Sequence, residues 1–161
     1  MTNDLATQLD AFDLAILARY QSDIRRAAET IGAEVGLSAA AVQRRLKRLR
    51  EQNVIEAEIA KIAPKAAGFP VTCLVSVDID REGAAEIARF KSRMLASPQV
   101  QQCYYVTGPT DFVLVVLARD LGDYEAFTRE YLLADSNVRS FTTHVVLESA
   151  KVGLEVPLQP K

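Results

Sequence analysis

Near residue 60 the apolar residues change their spacing from about one in every three or four positions to one in every two, a switch from helical to strand periodicity. One layer of secondary structure cannot satisfy both, so a chain of 161 residues is expected to form two small domains. In the first, LDAFDLAILARYQ places Leu9, Phe12, Ile16 and Tyr20 near one face, with Leu14 and Leu17 widening the stripe, and Asp10 or Asp13 suits the positive start of such a helix. RRAAETIGAEVG sets Ala27, Ile31 and Val35 four apart and stops at Gly36, a residue able to close a helix in the left-handed conformation. After one spacer residue, Ser38 stands as an N-cap before AAAVQRRLKRLREQN. Three helices with so tight a joint form a helix-turn-helix pattern.

Beyond Asn53 the alternation of Ile55, Ala57 and Ile59 predicts a strand, giving a winged-type helix-turn-helix domain over residues 1–62. Pro64, Gly68 and Pro70 mark 63–70 as a linker. Residues 71–161 then run strand, helix, strand, strand, helix, strand, the order of a ferredoxin-like βαββαβ domain, so the fold class is α+β. TGPT at 107–110 supplies the turn between the middle strands. In the third strand Phe112, Leu114, Val116 and Ala118 face one way and Val113, Val115 and Leu117 the other, so both sheet faces are apolar while the helices cover only one. The bare face calls for a partner, most simply a second copy of the chain. The tail after Lys151 shows little periodicity and is expected to be irregular or a docking arm.

Composition narrows the function. Apolar residues make up 49% and charged residues 25%, the balance of a folded soluble chain rather than a disordered one. No apolar run approaches the roughly 20 residues of a membrane helix, and the first residues lack a secretory pattern, so a cytoplasmic protein with no membrane partner is expected. Cys73 and Cys103 lack zinc-site spacing and read as buried thiols, and neither a metal nor a cofactor is expected. The net charge of −2 conceals an asymmetry: the chain before Phe69 carries +1, the rest −3. Between Arg25 and Arg50 seven basic residues face only Glu29 and Glu34, a density that points to a polyanion.

On a helical wheel of the third helix, Val42, Leu46, Leu49 and Asn53 fall on one side and Ala40, Arg44, Lys47 and Glu51 on the other. The first turn after Ser38, with Ala39 and Ala40, is small enough for close approach to a DNA groove. Gln43 is suited to adenine and Arg44 to guanine, while Arg45, Lys47 and Arg48 on the flanks are suited to phosphates.

Three stretches carry a family resemblance: LDAFDLAIL at 9–17, VGLSAAAVQRRLKRLREQNVI at 35–55 and YYVTGPTDFVLVV at 104–116. With them nearly the whole chain resembles the Lrp/AsnC, or feast/famine, transcriptional regulators. The resemblance implies a sequence-specific regulator of double-stranded DNA that dimerises through its C-terminal sheet and assembles further into tetramers or octamers. It also implies an effector, typically an amino acid, bound between neighbouring C-terminal domains. By position Gly108, Thr110 and Asp111 match the family's effector turn, with Tyr104 and Tyr105 leading into it and Thr142, with Thr143, on the last strand. Asp111 could pair with an α-ammonium group and the backbone N–H groups around Gly108 with an α-carboxylate. Val106, Phe112 and Val115 hint at a pocket for an aliphatic or sulfur-containing side chain, or belong to the core. Two positions depart from the family: Ala27 replaces the usual Ser or Thr cap of the second helix, for which Asp23 could substitute if the helix begins earlier, and Gly32 replaces alanine.

The same architecture serves sirohaem-decarboxylase-like enzymes, which form the alternative reading. Against it, the single histidine, His144, lies in an ordinary strand context, and no nucleophile triad, phosphate loop or metal-spaced cluster stands in the sequence.

Overall fold

The computed structural model describes residues 9–158, which divide into two compact units: residues 9–60 with 151–158, and residues 61–150. In the first unit α1 (Ala11–Tyr20), α2 (Ala28–Val35) and α3 (Ala39–Glu51) follow the predicted order. Helix α1 starts in a reciprocal cap, in which the Asp13 N–H donates to Asp10 (2.8 Å) and the Asp10 N–H to Asp13 (3.1 Å). Helix α2 has no such help. Ala27 offers no side-chain acceptor, and Asp23 instead takes the Arg25 N–H in the turn before it (3.0 Å), so the helix does not begin early. Gly36 closes α2 at φ 75°, and the Ser38 hydroxyl accepts from the Ala41 N–H (3.2 Å) to open α3.

Gly32 has a packing reason. A Cβ at this position would stand 2.4 Å from the Leu37 carbonyl oxygen, so the α2–α3 turn folds directly onto bare backbone. Ile16, Tyr20, Ile31, Val42 and Leu46 form the small core beneath the helices. Three expected members lie elsewhere: Ala27 is exposed at the N-cap of α2, and Phe12 is 44% exposed, its ring covered by the Arg45 guanidinium at 5.5 Å. Asn53 ends α3 as an exposed residue with φ 57°, a conformation asparagine tolerates better than most.

The expected strand at 55–59 is a further correction, because the segment joins no sheet among the described residues. Alternation supplies a face, yet a strand also needs a neighbour to accept its backbone hydrogen bonds. Residues 151–158, grouped above with the second domain, associate with the helical unit. The Gln21 side-chain amide donates to the Val156 carbonyl (2.9 Å) and accepts from the Val156 N–H (3.0 Å).

In the second unit β1 (Val71–Ile79), α4 (Ala84–Ala96), β2 (Val100–Tyr105), β3 (Phe112–Ala118), α5 (Leu121–Phe127) and β4 (Val138–Val145) give the predicted βαββαβ order. After α5 the chain continues into a wider π-type turn over Thr128–Leu133, in which the Ala134 N–H reaches back five residues to Arg129. All strand pairs are antiparallel in the order β2-β3-β1-β4. Pairing slips by one residue twice, at Gln101 in β2 and at Arg139 in β4.

Cys73, Val75, Val77 and Ile79 of β1 and Phe112, Leu114, Val116 and Ala118 of β3 pack beneath the helices with Phe90, Met94, Tyr124, Phe127 and Leu132. Phe112 is thus a core residue with no exposed surface, which removes it from any pocket. Cys73 is buried as expected, whereas Cys103 is only half-buried; burial raises the pKa of both thiols. The opposite face, with Leu74, Val113, Val115 and Leu117 at its centre, is covered by neither α4 nor α5.

Candidate nucleic-acid interface and effector site

Helix α3 buries Val42, Leu46 and Leu49 and turns the remaining residues outward. Ser38, Ala40, Gln43, Arg44 and Lys47 are exposed and Ala39 is half-buried. Arg44 makes no ion pair among the described residues, and Lys47 has only a loose contact with Glu51 (3.8 Å). This is the surface the wheel predicts: small residues at the first turn, then an amide and a free guanidinium, the groups that read base edges in a major groove.

Arg45 and Arg48 have a second engagement that their spacing did not reveal. Arg45 Nη1 lies 2.7 Å from both Asp10 and Asp13, and Arg48 Nη2 lies 2.6 Å from both Asp13 oxygens. Asp13 is 1% exposed, so these two cations neutralise a buried carboxylate inside the domain. The Asp10 pKa is held below the usual carboxylate range, first by the Asp13 N–H and then by Arg45, and that of Arg45 is raised by the same partners, Asp10 before Asp13. Arg44, Arg45 and Arg48 line one open hollow of about 350 Å³ together with Leu37 and Ala41. Further along α3, Arg50 is drawn to Glu58 (2.7 Å) and the Tyr20 hydroxyl (2.8 Å), which holds the segment after the helix against the bundle.

The residues proposed for an effector divide into three places. Tyr104, Val113, Ser76 and Thr142 form one cross-strand row on the bare face of the sheet. Tyr105 points to the helix side, its ring 5.1 Å from that of Phe112 and 5.0 Å from the Lys91 ammonium, so the two tyrosines cannot serve one face together. Gly108, at φ 126°, turns the chain toward β3. There Thr110 donates to the Val77 carbonyl (3.0 Å) and the Asp111 carboxylate accepts the Ile79 N–H (2.7 Å), tying the turn to β1. Thr143 is turned to the helices and pairs with the Tyr124 hydroxyl.

Asp78 was not singled out from sequence. It sits on the bare face at this end of the sheet, accepting from Ser140 (2.6 Å), and that hydroxyl holds its pKa below the usual range. The alternation Leu74, Ser76, Asp78 opposite the buried Val75, Val77, Ile79 is the signal that places it there. His144 is exposed on the same face opposite Leu74. Among the described residues no three His, Cys, Asp or Glu side chains gather to hold a metal, and no helix is long and apolar enough to cross a membrane.

A capped helix-turn-helix with an exposed basic face, joined in one chain to a half-covered antiparallel sheet unit, is an architecture suited to a DNA-binding protein. Residues 9–50 match the AsnC-type helix-turn-helix domain and residues 72–156 the Lrp/AsnC ligand binding domain. The chain belongs to the Lrp/AsnC family of transcriptional regulators. It is 43% identical over 156 residues to an uncharacterised HTH-type transcriptional regulator of Sinorhizobium fredii, covering 97% of this chain and 92% of that one. It is 30% identical to the Bkd operon transcriptional regulator of Pseudomonas aeruginosa, covering 94% and 99% of the two chains. Among solved structures, an AsnC family transcriptional regulator from Agrobacterium tumefaciens superposes with a TM-score of 0.86 at 27% identity, covering 93% of this chain and 97% of that one. A transcriptional regulator of Neisseria meningitidis in complex with L-methionine does so with the same TM-score and coverage at 26% identity.

Proposed function

We propose that the protein is a sequence-specific regulator that docks α3 in the major groove of double-stranded DNA, and that an amino acid bound at the sheet unit modulates this binding or the assembly state. The observation that carries the reading is the outward face of α3, where Gln43 and Arg44 are exposed directly after a Ser38-capped turn and Arg44 is free of ion pairs among the described residues. Two such helices, presented by a homodimer closed over the bare sheet face and able to assemble into tetramers or octamers, would meet successive grooves on one side of the duplex. Such a protein acts where the chromosome is, in the cytoplasm.

An amino acid is the effector class that fits the sheet end, where Asp78 and Asp111 offer carboxylates and Gly108 an open backbone; the methionine complex of the Neisseria relative supports that class. Selection from a random duplex library should return a palindrome with half-sites about one helical turn apart, some 34–36 Å. Arg44→Ala should relax preference at one base position, and sequence-indifferent binding by the native protein would overturn the reading. A thermal-shift screen of the amino acids identifies the effector, because a ligand that binds only the native state raises Tm. Asp111→Asn keeps an acceptor for the Ile79 N–H but loses the charge, so the effector's influence on DNA binding should vanish. An undiminished response would remove Asp111 from the site.

A further inference from the structure

We propose that Asp13 is a positioning residue for the DNA-facing surface: it fastens Arg45 and Arg48 by one nitrogen each, so that their remaining N–H groups join Arg44 around a seat for a single backbone phosphate. The proposal rests on the DNA-binding reading above. Asp13 meets Arg45 only through Nη1 and Arg48 only through Nη2, and no other group among the described residues takes a hydrogen bond from either guanidinium except Asp10, again at Arg45 Nη1. A guanidinium carries five N–H donors in a fixed plane, so anchoring one nitrogen fixes the direction of the rest. The Phe12 ring beneath Arg45 restricts it further.

Both arginines open onto the same hollow as Arg44. Its other lining residues, Leu37 and Ala41, have apolar side chains and no carboxylate lines it, so its chemistry selects an anion. At about 350 Å³ it has room for a phosphoryl group with several waters, each needing about 30 Å³. Asp13 itself, 1% exposed, is hidden from an approaching strand and acts through the arginines alone. Long arginines on an open helix would otherwise lose rotamer freedom on meeting a phosphate; here folding has already removed it.

The test turns on a sign. Deleting a negative charge beside DNA tightens binding if Asp13 merely neutralises the arginines, and weakens it if Asp13 aims them. The 161-residue chain is titrated onto a labelled mixed-sequence duplex by fluorescence anisotropy at potassium chloride concentrations between about 50 and 200 mM. Asp13→Asn should bind about tenfold more weakly, and the slope of log K against log salt should fall by about 0.9, the signature of one lost phosphate contact. Simple destabilisation would lower the folded fraction, read from the melting curve, and leave that slope unchanged. Glu34→Gln, which removes an α2 carboxylate paired with Arg19 and Arg26, should bind as the native protein does or more tightly.

If Asp13→Asn does not fold, Asp10→Asn decides, since asparagine caps a helix as well as aspartate. It should weaken binding about threefold by making one of the two Arg45 acceptors neutral. Equal or tighter binding by the deciding variant overturns the proposal. Should the native chain bind no duplex, with Arg44→Ala no different, the DNA-binding reading falls together with it. If both behave as that reading expects and the aspartate variants do not weaken binding, only the positioning role is lost.

Discussion

Among the described residues the sheet unit buries thirteen side chains in one cluster, including Phe90, Phe112 and Phe127, whereas the helical unit clusters only Ile16, Tyr20, Ile31, Val42 and Leu46. The smaller unit compensates with charge. Asp13 with Arg45 and Arg48, Glu58 with Arg50 and Tyr20, and Glu34 with Arg19 and Arg26 tie its helices together around the rim. In the sheet unit Arg119–Asp123 and Arg129–Glu125 span only four residues and add little to its fold, and one distant pair, Arg89 with the buried Asp135 (2.7 Å), ties α4 to the turn before β4. Apolar packing dominates the larger half, while ion pairs are denser around the small core of the other, so the two should fail under different insults.

The largest effect expected is from Phe112→Ala, which empties a fully buried site in the sheet and should cost about 3–5 kcal/mol. Hydrogen exchange followed by peptide should show protection lost across β1 and β3 while α2 and α3 keep theirs; uniform loss would mean the units unfold as one. Gly32→Ala comes next and sharpens the contrast, because helix propensity alone predicts a gain. With the new Cβ 2.4 Å from the Leu37 carbonyl, we expect instead a loss of about 1–3 kcal/mol, measured by urea unfolding and confined to the helical unit.

Acid provides the third comparison. Glu34, Glu58 and Asp10 have folded pKa values below their ordinary ones: Arg19 is the leading cause at Glu34, the Tyr20 hydroxyl at Glu58 and the Asp13 N–H at Asp10. Their stabilisation is therefore complete above the unfolded values of about 4 and is lost as pH falls through the folded ones. Exchange protection in α1–α3 should fall below about pH 4 before that of the sheet core, even though Asp78 and Asp123 titrate in the same sense. The smallest effect is a gain: Ala27→Ser supplies the missing cap of α2 and should stabilise the helical unit by about 0.5–1 kcal/mol in the same urea assay.

Periodicity and turn chemistry made most of the fold legible. Gly36 and Ser38 bounded α2 and α3 correctly because their work is local, and the alternation of β3 assigned both faces of the sheet. What escaped was what depends on partners distant in sequence. Ile55, Ala57 and Ile59 alternate like a strand but pair with no strand among the described residues, and Val156 finds Gln21 across more than a hundred residues. The site divides in the same way. A wheel put Ala40, Arg44 and Lys47 outside, yet could not tell that Arg45 and Arg48 answer to carboxylates at the start of α1. Strand alternation by itself requires Tyr104 and Tyr105, adjacent in β2, to part to opposite faces, and they do.

The two one-residue slips in pairing fall on β2 and β4, the outermost strands, and the extra residues, Gln101 and Arg139, are both exposed. Each rim is thereby kinked, so a foreign strand meets no straight row of backbone amides on which to add itself. The molecule can thus leave one apolar sheet face uncovered by its own helices while offering kinked edges to any strand that approaches from the side.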